Sequence, residues 1–527
     1  MRCESSDETP GVLQKCGTPA SIMSTLNTRA SGAATTPDDD QCPWRRRLRA
    51  SLFMKADPVF VFPERIIPGA SVWRGARLWT LAFRAAGLQR GDRVILALEP
   101  SPAFLMVLVA ALWDGLTLVL ASPEAANRSD ELLEEMDARL MVGGSGQHCV
   151  VPDADSGPPE VIDQLRACRG ERTPDVCMML RTSGTTGAGK WMALSTRNIM
   201  SVLECHIPLL GFGESVAVDA DAEVEEASGG NGAVMLSLLP WHHAFGLIIN
   251  LLPAMFGGAM IVREASSGRD VGSILRAAET YRPTHMSMVP LQAERLAELT
   301  EGRELLASLS GGIVGGAQVR PDLSALLAET KLRAGYGQTE AGPGISLGEP
   351  GVWCGGYLGQ VLGCRTRVNS DGVLEVRGPN VCIGHWTKGR LQRLDPDRWL
   401  NTGDVVRSAA VGGPGGLVFL GRADSNIKLS NGRLVEVGLI EDAIMQVVPG
   451  VREAWIASPD GHTLMVGVVV AAGAAMPERD VVAACLGPLA DRFGGLVRLD
   501  QRTLPLTGKG AVDRSRLGAV MPAATAA

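Results

Sequence analysis

The stretch 178–195, MMLRTSGTTGAGKWMALS, constrains this chain more than any other, because an apolar run breaks abruptly into a Ser/Thr/Gly loop that one lysine closes. The run reads as a strand and the loop as a cradle for an anion. Gly184, Gly187 and Gly189 reach backbone conformations closed to other residues, so that amide N–H groups can turn inward toward a phosphate. The hydroxyls of Thr182, Ser183, Thr185 and Thr186 add donors, and Lys190 adds a point charge. Two phosphate-binding readings compete. Residues 184–190 satisfy G-x-x-x-x-G-K, the start of a nucleoside-triphosphatase P-loop, but Trp191 stands where that motif needs Ser or Thr for magnesium. Taken alone, such a loop is ordinarily a surface turn without a ligand. The rest of the chain decides.

A chain of 527 residues with 46% hydrophobic content exceeds the size at which one core stops growing, so two or more domains are expected. A net charge of −7 with 4% aromatics argues against a broad polyanion-binding surface and places any phosphate in a local pocket. The eleven cysteines show no CxxC pair, which excludes the usual disulfide framework and zinc spacing and fits a reducing, cytoplasmic compartment. The apolar runs 104–121 and 246–262 are interrupted by Asp114, Asn250 and Pro253, and read as buried elements, with no transmembrane segment. Residues 1–50 mix acidic, small and polar types without periodicity, so disorder is expected there. They lack a signal peptide's apolar core, and the arginines at 45–47 and 49 read as a solvated charge run.

Along the chain, Leu78, Leu81, Ala85 and Leu88 give helical spacing over 71–88, and the turn at 91–93 leads into the strand VILALE. A helix over 102–113, a strand over 116–120 and a charged helix over 129–139 follow. Such alternation builds a parallel-type sheet covered by helices. A helix is expected over 196–210, and the acidic run 219–226 reads as an exposed loop. The strand 233–239 ends in Pro-Trp-His-His-Ala-Phe-Gly, and ligands in α/β proteins gather at the carboxyl ends of strands. Further strands are expected at 284–289 and at 305–310, the latter opening into a glycine-rich turn. LRAGYGQTE at 332–340 is another polar strand exit. There Tyr336 offers a flat face, Thr339 a hydroxyl and Glu340 a carboxylate for magnesium. From residue 371 short β segments with turns predict a small β-rich subdomain. Beyond residue 421, about 100 residues of β/α alternation predict a compact second domain with a helix near 481–493.

Six motifs in this order closely resemble the adenylate-forming superfamily of acyl-CoA synthetases, beetle luciferases and peptide-synthetase adenylation domains. They are TSGTTGAGK at 182–190, PWHHAFG at 240–246, GGA at 315–317, GYGQTE at 335–340, NTGD at 401–404 and GRADSNIKLSNG at 421–432, with GVLEVRGPNVCIGHW at 372–386 as a seventh. The resemblance implies an α/β fold. Its parts are a large domain at 51–421, of parallel-type sheets covered by helices plus the β-rich subdomain, and a small mobile α+β domain at 422–520. It also implies a two-step reaction in which a carboxylate attacks the α-phosphate of ATP to give an acyl-adenylate and pyrophosphate, and a thiol then displaces AMP. Phosphate charge in such a reaction is offset by amides, hydroxyls, lysine and Mg²⁺.

By the same resemblance, Thr182, Ser183, Gly184, Thr185, Thr186, Gly187 and Lys190 fold over the phosphates. Gly315, Gly316 and Ala317 with Tyr336 and Gly337 make the adenine slot. Thr339 bonds the phosphate, Glu340 holds Mg²⁺, and Asp404 with Arg422 takes the ribose. His243 borders the acyl carboxylate and Phe245 lines the adjacent wall. Asp424 is the hinge; one orientation brings Lys509 to the adenylation site and the other brings Lys428 to the thiol. Departures are Gly189 and Trp191 around the loop lysine, Val437 after Glu436, and a tail motif 505–509 that is two residues short. The sequence ends soon after Arg514, so a standalone enzyme is expected. Its acceptor is coenzyme A or, alternatively, the phosphopantetheine of a separate acyl carrier protein. A nucleotide-binding homologue without catalysis is the alternative of another class. Gly311, Gly312, Gly315 and Gly316 leave room near the pocket, and an apolar lining from Met255 or Phe256 suggests a fatty or aryl acid over a polar one.

Overall fold

The computed structural model describes residues 43–53, 59–182 apart from 154, 160–161 and 163–164, and then 189–212, 232–409, 415–423, 427–430, 434–435, 437–471, 473–500, 502–505 and 512–521. Three sheets and a small C-terminal domain account for these residues. One eight-stranded sheet has a parallel centre, in which Arg93–Leu96 pairs with Thr117–Leu120 and Leu140–Val142, and Thr117–Leu120 pairs with Met178–Arg181. The strand Trp191–Leu194 then returns antiparallel to Met178–Arg181, register Arg181 to Trp191, so the phosphate-loop candidate is the tip of a hairpin. A five-stranded sheet orders His285–Ser287, Val234–Ser237, Met260–Arg263, Val59–Val61 and Ile66–Pro68, parallel except for the last pair. The second eight-stranded sheet begins as a parallel pair, Ile313–Gly315 with Arg333–Tyr336, and continues antiparallel through Leu400–Ser408 and Leu417–Arg422. Mixed α/β layering is therefore as the sequence predicts.

The helix Pro102–Asp114 is buried on every side, as its almost unbroken apolar composition requires. Ser101 caps it by accepting from the Phe104 amide at 3.2 Å, and Gly115 ends it in the left-handed conformation. The helix Thr196–Leu210 starts on a Ser195–Asn198 capping box. Asn198 Nδ2 also donates to the carbonyls of Pro379 and Val381, at 2.7 and 2.8 Å, tying this helix to the β-rich subdomain.

Several sequence expectations give way here. A helix spans Pro43–Phe53 and takes in residues 43–50 of the segment expected to be disordered, the rest of which lies outside the described residues, because Trp44, Leu48 and Leu52 recur every four residues and are buried. Its Trp44 ring stacks on Phe256 at 5.4 Å, so Phe256, with the fully buried Met255, belongs to the core and not to a substrate pocket. The helix read over 71–88 spans Gly69–Ala85 and buries Val72, Trp73, Trp79 and Phe83, while Leu78 and Leu81 are exposed. Residues 305–310, expected as a strand, largely fall in the helix Thr300–Ser308, with Leu305 and Leu306 turned to the core. The second helix of the small domain is shorter than expected, Arg479–Cys485, and continues as a 3₁₀ turn over Gly487–Arg492. The acidic run 219–226 lies outside the described residues. No helix among those described is long and apolar enough to cross a membrane.

The small domain packs the helices Val437–Val447 and Arg479–Cys485 on the three strands Val451–Ala457, Leu464–Val470 and Phe493–Arg498. It meets the large domain through Gln318 Nε2, which donates to both oxygens of Asp442 at 3.1 and 3.2 Å.

Candidate active site

The two longest strands of the β-rich sheet carry the first cluster. Asp404 and Arg422 face each other in the register between Leu400–Ser408 and Leu417–Arg422. Asp404 is buried, and Arg422 Nη1 donates to its Oδ1 at 2.9 Å and to the Thr402 carbonyl at 2.8 Å. Gly403 sits between them at φ +73, and a β-carbon there would lie 2.7 Å from Arg422 Nη2. Glycine is what lets the guanidinium lie across the turn. Asp404 Oδ2 accepts from the Tyr336 hydroxyl at 2.5 Å and from Gln338 Nε2 at 2.7 Å, and Gln338 also donates to the Thr402 carbonyl at 2.8 Å. Burial and the adjacent carboxylate push the Tyr336 phenol far above its usual range, which keeps it a neutral donor. The motifs GYGQTE, NTGD and GR, which are far apart in sequence, thus meet at one carboxylate.

Beside this cluster is a pocket of about 60 Å³. Phe245, Ile249, Gly315, Gly316, Tyr336 and Gly337 are among its walls. Tyr336 therefore belongs to both, lining the pocket and donating its hydroxyl to Asp404. Ala317, grouped with the two glycines in sequence, is exposed and does not line this pocket. Thr339 and Glu340 form a short 3₁₀ turn that follows directly, both partly accessible. The Glu340 carbonyl accepts from the Cys382 amide at 2.9 Å, which fixes the turn against the segment after Arg377.

The PWHHAFG turn is built on a buried arginine that sequence reasoning passed over. Arg263 Nη1 donates to the carbonyls of Ser237 and Leu239 at 2.9 and 2.8 Å, and its guanidinium lies over the Trp241 ring, whose Nε1 donates to Ser237 Oγ at 3.0 Å. The signal was present as an arginine ending an apolar strand. His243 is exposed, and its ring lies 4.4 Å from that of His242. The His242 imidazole is pushed down to about 4 by burial first and by the neighbouring His243 second, with Glu124 opposing. Phe245 begins a π-helix, Phe245–Leu251, that leads away from the turn.

At the hairpin tip, Thr182 and Lys190 close the ends of the loop. The Thr182 amide donates to the Lys190 carbonyl at 2.7 Å, and the Lys190 amide donates to Thr182 Oγ1 at 3.1 Å. A β-carbon on Gly189 would lie 2.1 Å from the Thr182 carbonyl oxygen, so this close approach demands glycine. Trp191 is buried away from the tip, with Nε1 donating to Glu135 at 2.9 Å, and serves the core beneath the loop. Ser183, Gly184, Thr185, Thr186, Gly187, Asp424 and Lys509 lie outside the described residues, as does the side chain of Lys428, whose backbone pairs with Leu434.

The sequence matches the AMP-binding enzyme family over residues 56–386, more than half of the chain. It is 28% identical over 476 residues to a feruloyl-CoA synthase of an Amycolatopsis species, covering 82% of this chain and 89% of the relative. It is 26% identical over 434 residues to the p-hydroxybenzoic acid–AMP ligase FadD22 of Mycobacterium marinum, covering 76% of this chain and 58% of that one. The fold superposes on ATP-bound MatB of Rhodopseudomonas palustris with a TM-score of 0.71 at 23% identity, over 90% of this chain and 98% of the other. The chain belongs to the AMP-binding enzymes, the adenylate-forming superfamily.

Proposed function

We propose that this chain joins a carboxylic acid to ATP as an acyl-adenylate, releasing pyrophosphate, and passes the acyl group to the thiol of coenzyme A. The observation that carries the reading is the buried Asp404, held by Arg422, Tyr336 and Gln338, directly beside a glycine-walled pocket that shares Tyr336 with it. Oδ1 of that carboxylate keeps a lone pair for a ribose hydroxyl, and the adjoining apolar pocket suits the acyl end, so that Gly315, Gly316, Tyr336 and Gly337, which the resemblance assigns to adenine, border the acyl group in this reading.

In the first step a substrate carboxylate oxygen bonds to the α-phosphorus of ATP while the bond to pyrophosphate breaks. Residues 182–190, with Lys190, fold over the phosphates; Thr339 donates to the α-phosphate; His243 and Phe245 border the acyl group. Lys509 neutralises the charge between carboxylate and phosphate. Among the described residues no three His, Cys, Asp or Glu side chains converge on a metal site, and magnesium is ordinarily held by one or two carboxylates together with substrate phosphates. Glu340 fits that role, and the ion would supply charge neutralisation. In the second step a thiolate attacks the acyl carbon and AMP leaves, with the small domain turned about Asp424 so that Lys428 faces the thiol.

The match to a protein named as an AMP ligase supports a second reading, transfer to the phosphopantetheine of a carrier protein. A panel of carboxylic acids scored by AMP release, with coenzyme A and a carrier protein as competing acceptors, tests both. AMP release with coenzyme A supports the main reading, and release with the carrier alone supports the second. Formation of ADP and phosphate without AMP would overturn both.

A further inference from the structure

The pocket beside Asp404 contains one side chain that the reaction leaves unused, His206, on the helix Thr196–Leu210. It is buried to 2% exposure in an otherwise largely apolar lining. Its Nδ1 lies 2.8 Å from the Val202 carbonyl one turn back. A carbonyl only accepts, so Nδ1 carries the proton and Nε2 is left as a bare acceptor. Nε2 has no hydrogen-bond partner among the described residues. Burial lowers the affinity of this imidazole for a second proton, which keeps it neutral.

The other polar side chains of the lining are spent: Ser346 Oγ donates to the Leu358 carbonyl at 2.6 Å, and the Tyr336 hydroxyl donates to Asp404. No charged side chain lines the pocket among the described residues. A β-carbon on Gly344 would lie 2.6 Å from His206 Cε1 and 3.3 Å from Nε2, so glycine alone leaves the ring edge uncovered. Gly315, Gly316, Gly335 and Gly337 add backbone to a lining otherwise supplied by apolar side chains such as Phe245, Ile249 and Leu347. A pocket of about 60 Å³ takes only a small end group, which suits a compact acid, and its largely apolar lining suits a ring.

We propose that His206 Nε2 is a specificity-determining acceptor, and that the acid activated here is a compact aryl acid carrying a hydroxyl donor on its buried end. This rests on the reading of the chain as an acid ligase. A hydroxyl in the slot donates to Nε2 and removes an unsatisfied polar atom from each partner. An analogue lacking the donor leaves Nε2 bare against apolar carbon.

The experiment compares hydroxybenzoic and hydroxycinnamic acids with their deoxy and methoxy counterparts, by calorimetric binding and by pyrophosphate exchange, in wild type, His206→Leu and His206→Gln. The hydroxy acids should bind at least about tenfold more tightly than their counterparts in wild type. His206→Leu should erase or reverse that ratio, mainly through KM, and His206→Gln, which keeps an acceptor, should restore part of it. In histidine labelled with nitrogen-15, the unprotonated Nε2 signal should move with a hydroxy acid and stay put with its deoxy analogue. Equal binding of hydroxy and deoxy acids, or a ratio unchanged in His206→Leu, would overturn the proposal. Discrimination in binding without exchange would uphold the pocket assignment and overturn the ligase reading. Neither binding nor exchange with any acid would overturn both.

Discussion

Replacing Asp404 by asparagine keeps the shape of the nucleotide cluster and removes its charge. In the wild type, Oδ1 accepts from Arg422 at 2.9 Å, and Oδ2 accepts from Tyr336 at 2.5 Å and Gln338 at 2.7 Å. An amide has one oxygen to offer. If that oxygen stays on Arg422, the new NH₂ group meets the Gln338 NH₂, donor against donor, while the Tyr336 hydroxyl can rotate and accept. Hydrogen bonds to a charged group contribute about 1.5–3 kcal/mol each. Arg422 is partly accessible, so its share is screened and taken at the lower end. For the bound ribose, the hydroxyl held on Oδ1 loses its charged acceptor, and the donor–donor contact at Gln338 adds to that loss. The sum is roughly 2–4 kcal/mol, or about 30- to 1,000-fold in kcat/KM for ATP, since 1.4 kcal/mol is tenfold. The assay is pyrophosphate exchange at varied ATP and saturating acid, with circular dichroism to confirm folding. A folded variant whose ATP dependence matches wild type would refute the assignment of Asp404 to the nucleotide.

Gly403→Ala puts a β-carbon at φ +73, 2.7 Å from Arg422 Nη2, so it should cost about 1–2 kcal/mol of backbone strain and weaken ATP binding by displacing the guanidinium; wild-type melting and kinetics together would contradict this. His242, held down to about 4 against an unfolded value near 6.5, binds fewer protons folded than unfolded between those limits. Its contribution to stability is therefore complete above about pH 6.5 and lost as pH falls toward 4, and His242→Asn should flatten the urea-midpoint profile over that range. An identical slope in the variant would show that His242 titrates normally. Lys509→Ala should abolish acyl-adenylate formation and spare thiolation of supplied acyl-adenylate; equal loss in both would remove Lys509 from the adenylation step.

The strand exits of the site were legible because each joins an apolar run to a short cluster of glycine, hydroxyl and charged residues. The partners that hold those exits were not. Gln338 was read only as one letter of a motif, and its bond to Asp404 depends on a sheet that brings together residues 66 apart in sequence. Arg263 looked like the end of a strand, and its role appears only when the Trp241 turn folds over it. The helix Pro43–Phe53 was hidden because four arginines in seven residues outweighed Trp44, Leu48 and Leu52 in a reading of charge, although their stems leave the apolar stripe intact. Residues 305–310 illustrate the ambiguity of short apolar runs, which periodicity alone assigns to neither helix nor strand. His206 gave no signal in the sequence, since one histidine on a helix is ordinarily a satisfied core residue.

Exchange of isotopically labelled pyrophosphate into ATP bears most directly on acyl-adenylate formation. The site predicts that label enters ATP only when both Mg²⁺ and a carboxylic acid are present, and that adding coenzyme A converts the exchange into net AMP release. Folded protein that binds ATP but exchanges no label across a broad acid panel would contradict it.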